Sequence, residues 1–266
     1  MREFKKKYED LKFSDDFLFC KVLEQNPDLC RELLELALGH KTGKIVRVSK
    51  QEPVEITANG RGVRFDVYAE DDESTVFDVE MQNAREADLP KRVRYSQSAI
   101  DIRMLERGTR FDALKNSYVI FICNFNPHPE YGLHRYTFEN RCLEKPELGL
   151  EDGTHKIFLC SRGTADDVPV EMQNFLSYAA GNAASDDLTN RLECAAENVR
   201  TNRAWRREYM TFQEMLDIAK EEGREEGREE GREEARLNTL REKERADLAE
   251  ARIAQLEAEL AALKGQ

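Results

Sequence analysis

The sequence has no apolar run approaching the roughly 20 residues that a membrane-spanning helix needs. Its basic opening, Met1-Arg2-Glu3-Phe4-Lys5-Lys6-Lys7, leads into no apolar segment, so no secretory signal peptide is read there. Cysteines stand at 20, 30, 123, 142, 160 and 194, with no Cys-x-x-Cys pair among them. Four of them sit in apolar or strand-like contexts, so buried reduced thiols are expected rather than disulfides or a zinc site. The histidines fall at no zinc-ligand spacing. These absences set a cytoplasmic, non-membrane protein as the expectation. Basic excess is missing as well: the net charge of −12 argues against a nonspecific nucleic-acid coat. Much of that acid lies in the C-terminal arm, however, and charge on one surface matters more than the total.

What is present is enough apolar material, 40% of 266 residues, for one good-sized core plus a charged extension. Two short alternating segments stand out. In Val63-Arg64-Phe65-Asp66-Val67-Tyr68, alternation sends Phe65 and Val67 to one face and Arg64, Asp66 and Tyr68 to the other. In Thr75-Val76-Phe77-Asp78-Val79-Glu80-Met81-Gln82, Phe77, Val79 and Met81 share a face, and Asp78, Glu80 and Gln82 share the opposite one. Asp71-Asp72-Glu73-Ser74 between them is a turn signal, so the two runs read as a hairpin. Pairing them lets Asp66 and Glu80 converge on one side of a sheet. Two convergent carboxylates suit a hard divalent cation such as Mg²⁺ or Mn²⁺, which takes oxygen ligands and keeps water. Such an ion lowers the pKa of a bound water and stabilises charge on a phosphoryl group. The bland reading is two solvent-facing carboxylates on an ordinary sheet.

The pattern Asp66…Glu80-Met81-Gln82 resembles the PD-(D/E)XK nuclease signature in a Glu-x-Gln form, and the chain as a whole resembles the PD-(D/E)XK nuclease family transposases, the Rpn group of recombination-promoting nucleases. The resemblance is carried by Phe13-Ser14-Asp15-Asp16-Phe17-Leu18-Phe19, by Phe65-Asp66-Val67-Tyr68 and by Val79-Glu80-Met81-Gln82. It continues through Leu89-Pro90-Lys91-Arg92-Val93-Arg94-Tyr95-Ser96-Gln97-Ser98 and Ser117-Tyr118-Val119-Ile120-Phe121-Ile122-Cys123, and ends with Trp205-Arg206-Arg207-Glu208-Tyr209-Met210 and the Glu-Glu-Gly-Arg repeats. It implies a restriction-endonuclease-like α/β (α+β) core, a central mixed sheet flanked by helices. It also implies bacterial origin and a role in DNA recombination or mobility.

The organisation read along the chain has three parts: a nuclease-like core over 1–165, a helical subdomain packed on it over 166–215, and an arm over 216–266. Residues 13–38 read as helical, capped by Asp15 or Asp16, broken at Asn26-Pro27, recapped by Asp28 and closed at Gly39. A strand region starts at Ile45 and extends towards Val54-Glu55-Ile56. After the hairpin, Leu89 to about Arg107 reads as a helix, with Pro90 near its start and Gly108 at its end. Val119–Cys123 reads as a strand buried on both faces. Residues 124–163 are loop-rich, with one further strand at Lys156–Cys160, and 170–215 look helical. The arm opens with Glu221-Glu222-Gly223-Arg224, repeated through Arg232 and followed by the degenerate Glu233-Glu234-Ala235-Arg236. Each leading Glu supports the Arg three positions on, while each Gly costs roughly 1 kcal/mol against Ala, so this is a marginal, solvated helix. Ile253, Leu256, Leu260 and Leu263 then form a 3-4-3 seam that reads as a short coiled coil and predicts a homodimer.

The resemblance assigns Asp66 and Glu80 to the metal, with the carbonyl of Met81 as an extra ligand; Asp78, on the same strand face as Glu80, is a spare. Gln82 stands where the wider superfamily carries Lys. Its amide can position a water but brings no charge, and Lys91 or Arg92 can partly fill that role. The 89–107 helix lies beside the active site in the family, so Arg92 and Arg94 are phosphate-contact candidates, with Tyr95 and Gln97 among them and Arg103 and Arg107 behind them. The rival reading of that helix is a solvated charged face, or ion pairs with Glu86, Asp88, Asp101 and Glu106. Glu24 would add a third carboxylate, as some relatives place one in the first helix, against the plainer reading of a surface Glu. Trp205 with Arg206, Arg207 and Tyr209 reads first as packing of Trp205 and Met210 onto the core, and only second as a nucleic-acid contact.

The functional expectation is therefore a Mg²⁺-dependent DNA endonuclease hydrolysing phosphodiester bonds. The alternative is a weakly active or inactive nuclease-fold protein serving as an oligomeric DNA-binding or interaction module. RNA cleavage is a third reading, open to the same metal chemistry.

Overall fold

The computed structural model describes residues 6–54, 63–105 and 108–264. The chain divides into two compact units, Met1–Arg206 and Arg207–Gln266. The first holds a six-stranded mixed sheet in the order β1-β2-β3-β4-β6-β5. Strands β1 (Ile45–Val54), β2 (Val63–Asp71) and β3 (Val76–Gln82) form an antiparallel meander; β4 (Ser117–Cys123) and β6 (Thr154–Cys160) continue it in parallel, and β5 (Arg135–Phe138) closes the edge antiparallel to β6.

The two segments expected to form a hairpin do so. Asp71 shapes the turn: its carboxylate accepts the N–H groups of Glu73 and Thr75, and Ser74 takes a φ of 68°. One expectation changes here. The polar face of β3 is not a solvent face, because every residue of β3 is buried. Helix α3 (Leu89–Met104) covers it, packing Leu89, Val93, Ala99 and Ile100 in one cluster with Val76, Val119, Phe121, Cys123, Phe158 and Cys160. Strict alternation also fails at Phe65, whose ring lies 5.8 Å from that of Tyr68 in the same cluster. The recorded ladder between β2 and β3 ends at Val67 and Val79, so Phe65 lies beyond the paired stretch.

Helices α1 (Asp16–Gln25) and α2 (Pro27–Leu38) break between Asn26 and Pro27 and lie against β1, with α1 also touching β2. Gly39 closes α2 at a φ of 78°, a left-handed conformation that Gly adopts without strain. Asp15 is the N-cap position of α1, but its side chain accepts the N–H of Lys12 and pairs with Lys6 instead of bonding into the helix. Helices α4 (Val170–Ala179) and α5 (Asp187–Thr201) pack against each other and against α1 and α2. Asp186 and Thr189 form a reciprocal capping box at the start of α5. The loop-rich stretch expected over 124–163 contains the four-residue β5, which has no apolar run of its own and exists through pairing with β6. Glu55, Ile56, Glu106 and Arg107 lie outside the described residues.

Helix α6 (Arg203–Lys264) runs unbroken through the repeats. The described side chains from Glu214 to Leu248 are exposed, and a methyl group built on Gly223, Gly227 or Gly231 would meet nothing within 4 Å. At its start Trp205 is half-buried, with the Lys21 ammonium 5.4 Å from its ring centre, whereas Met210 is 52% exposed. The side chains of Ile253, Leu256, Leu260 and Leu263 lie outside the described residues, so the seam is known here only as helical backbone.

Candidate active site

Register builds the site. Val67 pairs with Val79 and Tyr68 with Asp78, so one more step sets Asp66 opposite Glu80. At that step side chains take over from the ladder. The N–H of Asp66 donates to Glu80 Oε1 at 3.2 Å, and the N–H of Met81 donates to Asp66 Oδ2 at 3.2 Å. Each carboxylate thus accepts from the backbone of the opposite strand, which fixes both side by side. Both are buried, Asp66 to 7% exposure and Glu80 to 4%.

Helix α3 supplies the cation. The Asp88 carbonyl accepts the N–H groups of Lys91 and Arg92, and Pro90 tolerates the first turn because its missing donor has no partner there anyway. Arg92 then reaches down to the strand: Nη2 lies 3.3 Å from Glu80 Oε2, and Nη1 donates to Gln82 Oε1 at 2.9 Å and to Glu86 Oε2 at 3.0 Å. Its guanidinium also sits 5.5 Å from the Phe121 ring centre. Gln82 is held at both ends of its amide, because its Nε2 donates to the Ala84 carbonyl at 2.7 Å.

Helix α1 brings a further carboxylate, that of Asp16, to the same opening. The loop after β3 is tied to the segment before α1: Asn83 Nδ2 donates to the Ser14 carbonyl at 2.7 Å, and Asn124 Nδ2 donates to Asn83 Oδ1 at 2.6 Å. The resulting cleft, of about 620 Å³, is lined by Asp16, Arg64, Asp66, Glu80, Met81, Gln82, Asn83, Ala84, Glu86 and Arg92. A larger cleft of about 850 Å³, bordered by α2, Arg135 and the first turns of α4 and α5, lies away from these carboxylates. Chemistry rather than size selects the smaller one.

The charges in the cleft conflict. Burial, then repulsion from Glu80, pushes the Asp66 carboxyl well above the usual carboxylate range. Burial also raises Glu80, although Arg92 opposes it. Asp78, with no exposure, is pushed well up by burial and by Glu80 and Asp66, and no donor reaches either of its oxygens. These effects push Asp78 toward its protonated form, and its hydrogen bond opposes the rise at Glu80. Burial disfavours the charge on Arg92, but Glu86 and Glu80 outweigh it and keep the guanidinium charged.

A divalent cation fits this arrangement. Two adjacent buried carboxylates, both with raised pKa and both facing a cleft, are donors whose burial and repulsion a hard ion relieves. Among the described residues no group of three or more His, Cys, Asp or Glu side chains gathers at ligand spacing. The donor set is thus two carboxylates plus backbone and water, the sparse set that Mg²⁺ accepts.

Other expected residues fall elsewhere. Gln97 is buried, with Nε2 donating to Ser117 Oγ at 2.7 Å and 3.3 Å from Asp101 Oδ1, so it braces α3 against β4 and is not open to a phosphate. Glu24 pairs with Lys21 at 3.1 Å and does not line the cleft. Lys91 and Arg94 are exposed on α3, and Tyr95 is 38% exposed; none of the three lines the cleft. Arg103 stacks its guanidinium 4.4 Å from the Tyr68 ring centre, against the sheet.

A family model described as PD-(D/E)XK nuclease family transposase matches residues 13–148, just over half the chain. The protein belongs to that family. Its mixed sheet with flanking helices is the restriction-endonuclease-like α/β fold. No curated protein and no solved structure matches the chain. The matched span of this PD-(D/E)XK family member includes every residue that lines the carboxylate cleft. No helix among the described residues is long and apolar enough to cross a membrane.

The sequence pattern offered Asp16 only as a helix cap and Asp78 only as a spare, while the ion pair expected between the 89–107 helix and Glu86 is formed by Arg92. Asp16 stands inside Phe13-Ser14-Asp15-Asp16-Phe17, where an acidic residue at a helix start reads as a cap. The signal against that reading is the doubled acid: one Asp is enough to cap, and here neither side chain makes the capping bond.

Proposed function

We propose that this protein is a Mg²⁺- or Mn²⁺-dependent DNA endonuclease acting in recombination or on mobile elements. The observation that carries the reading is the reciprocal bonding of Asp66 and Glu80 at the mouth of a cleft beside Arg92. Asp66, Glu80 and the Met81 carbonyl would hold the ion. When bound, the ion supplies a lowered water pKa and neutralises charge on the phosphoryl oxygens.

The chain's own residues do the rest. The reciprocal backbone bonds keep both carboxylates fixed, so little reorganisation is needed during the reaction. Gln82 and Glu86 hold the Arg92 guanidinium at the cleft, where its fork suits a phosphate oxygen pair. Arg92 thereby supplies the charge that a Lys at position 82 would bring. Lys91 and Arg94, exposed on α3, guide the backbone of the nucleic acid with Tyr95 beside them. Hydrolysis forms a P–O bond to water and breaks the P–O bond to the sugar. One water proton ends on the leaving sugar oxygen. The arm beyond residue 216 serves self-association, with a dimer offering two cutting sites.

The test is nicking of supercoiled plasmid by the purified full chain with Mg²⁺ or Mn²⁺, beside Asp66→Ala and Glu80→Ala. Cleavage that needs the ion and both carboxylates supports the reading. A folded wild type that binds plasmid without cutting it would instead favour an interaction module, a reading that the neutral Gln82 encourages. Cleavage surviving both substitutions would point to a contaminant.

A further inference from the structure

Helix α3 carries a second arginine on the side that faces the sheet. Arg103 stands eleven residues after Arg92, so both project from nearly the same side of the helix, about three turns and about 17 Å apart along its axis. Each rests its guanidinium on a ring of the sheet: Arg92 lies 5.5 Å from the Phe121 ring centre, and Arg103 lies 4.4 Å from that of Tyr68. The Tyr68 ring is fixed, because it is buried and its hydroxyl donates to Glu70 Oε1 at 2.7 Å. A guanidinium stacked on a fixed ring keeps one orientation while its N–H edge remains available, a form that suits a phosphate.

Strand β1 brings a further arginine to the same ring. Arg47 pairs across the strands with Glu70, and its guanidinium lies 5.7 Å from the Tyr68 ring centre. Its side chain is 46% exposed, and its Nη1 stands 3.7 Å from Glu70 Oε1. An exposed ion pair of that length contributes little, so an incoming anion can compete with it. Bracing α3 against the sheet accounts for Arg103 alone. Arg47 is already part of the sheet, and its exposed charge is nothing that bracing requires. Neither arginine lines the carboxylate cleft. Duplex DNA carries a phosphate about every 3.4 Å along each strand, so a strand laid along α3 from Arg92 reaches Arg103 about five nucleotides on.

We infer that Arg47 and Arg103, stacked on Tyr68, form a second phosphate-binding site for DNA, outside the carboxylate cleft and about five nucleotides from Arg92. The inference rests on the reading of DNA as the substrate and extends it. The strand is held at two points, by Arg92 at the reacting phosphate and by this pair beyond it. Binding energy remote from the cut then orients the strand in the cleft. No step of the hydrolysis passes through the pair, so its loss weakens binding and spares the chemistry.

The test compares full-length wild type, Arg47→Ala, Arg103→Ala and, as a control for overall charge, Arg141→Ala from the loop after β5. Binding to a DNA duplex of about 20 base pairs is followed by fluorescence anisotropy across a salt series without divalent ions. Plasmid nicking with Mn²⁺ gives the rate at saturating plasmid, and thermal melting checks the fold. The expected result is an affinity about five- to tenfold lower in Arg47→Ala and in Arg103→Ala, with the salt slope shallower by about 0.9 in each. Arg141→Ala and the saturated nicking rates should match wild type. Wild-type affinity and slope in Arg47→Ala overturn the inference and leave the nuclease reading standing. A lower melting temperature and slower saturated nicking in Arg103→Ala, at the wild-type slope, also overturn it, making Arg103 a brace for α3. Equal losses in Arg141→Ala overturn it by reducing the effect to overall charge. A wild type that binds the duplex and never nicks removes the nuclease reading, while shallower slopes in both variants still uphold the site.

Discussion

Strand β3 and helix α6 both carry acidic side chains, Asp78 and Glu80 on the one and the repeat glutamates on the other, yet they put them in opposite surroundings. On β3, Asp78 and Glu80 are buried within a sheet covered by α3, and their charges conflict with each other and with Asp66. On α6, the glutamates of the Glu-Glu-Gly-Arg repeats stand in water, where charge is cheap and a neighbour at helical spacing is worth only a few tenths of a kcal/mol. The lesson is that composition does not locate chemistry. The charge-dense region lies in water, whereas the candidate site is built from carboxylates withdrawn from it.

Among substitutions, the largest effect belongs to the strand site. Asp66→Ala or Glu80→Ala should cut nicking by about 10³-fold or more, the several kcal/mol of charge stabilisation that a held ion provides. The corresponding loss of Glu221 or Glu222 should leave nicking unchanged. An arm glutamate as sensitive as Glu80 would end the contrast.

Next comes the Arg92 bracket. Arg92→Ala should lower nicking by about 10²-fold, Gln82→Ala by somewhat less, and the double variant no further than Arg92→Ala alone. Additive losses would mean that Gln82 acts on something other than Arg92.

Stability should respond to pH through the strand carboxyls and not through the arm. Asp66, Asp78 and Glu80 have folded-state pKa values raised above their unfolded ones. The folded chain therefore holds more protons than the unfolded chain as pH climbs from the ordinary carboxylate range, near 4, and stability falls across that climb. Metal-free protein should melt about 5 °C lower at pH near 8 than near 5, and Mg²⁺ should restore part of the loss. Asp78→Asn should weaken this slope while keeping the fold, since the amide also donates a hydrogen bond. A melting temperature that rises with pH would contradict the assigned burial of charge.

The smallest effects lie in the arm. Replacing Gly223, Gly227 and Gly231 by Ala should raise its helical stability by roughly 1 kcal/mol each, read by circular dichroism of the isolated arm peptide, because nothing crowds those positions. Truncation after Tyr209 should yield a monomer by sedimentation. A dimer that survives truncation would take self-association away from the arm.

Much of this was legible along the chain, and the reasons differ by element. The Asn26-Pro27 break, the Gly39 cap, the Asp71–Ser74 turn and the two-sided burial of β4 each rest on local chemistry that neighbouring residues suffice to state. So did the convergence of Asp66 with Glu80, since a short hairpin turn fixes strand register. Tertiary structure decided the rest. Only the packing of α3 shows that the polar face of β3 is covered, that Gln97 points at Ser117, and that Arg92 rather than Arg94 enters the cleft. Only the packing of α1, with the Asn83–Ser14 bond before it, shows Asp16 lining the cleft instead of Glu24, about two turns along the same helix. Local patterns assign a residue to a face. Which of two exposed-looking faces loses its water depends on what distant segments bring against it, and burial, not sequence spacing, is what shifts a carboxylate's proton affinity.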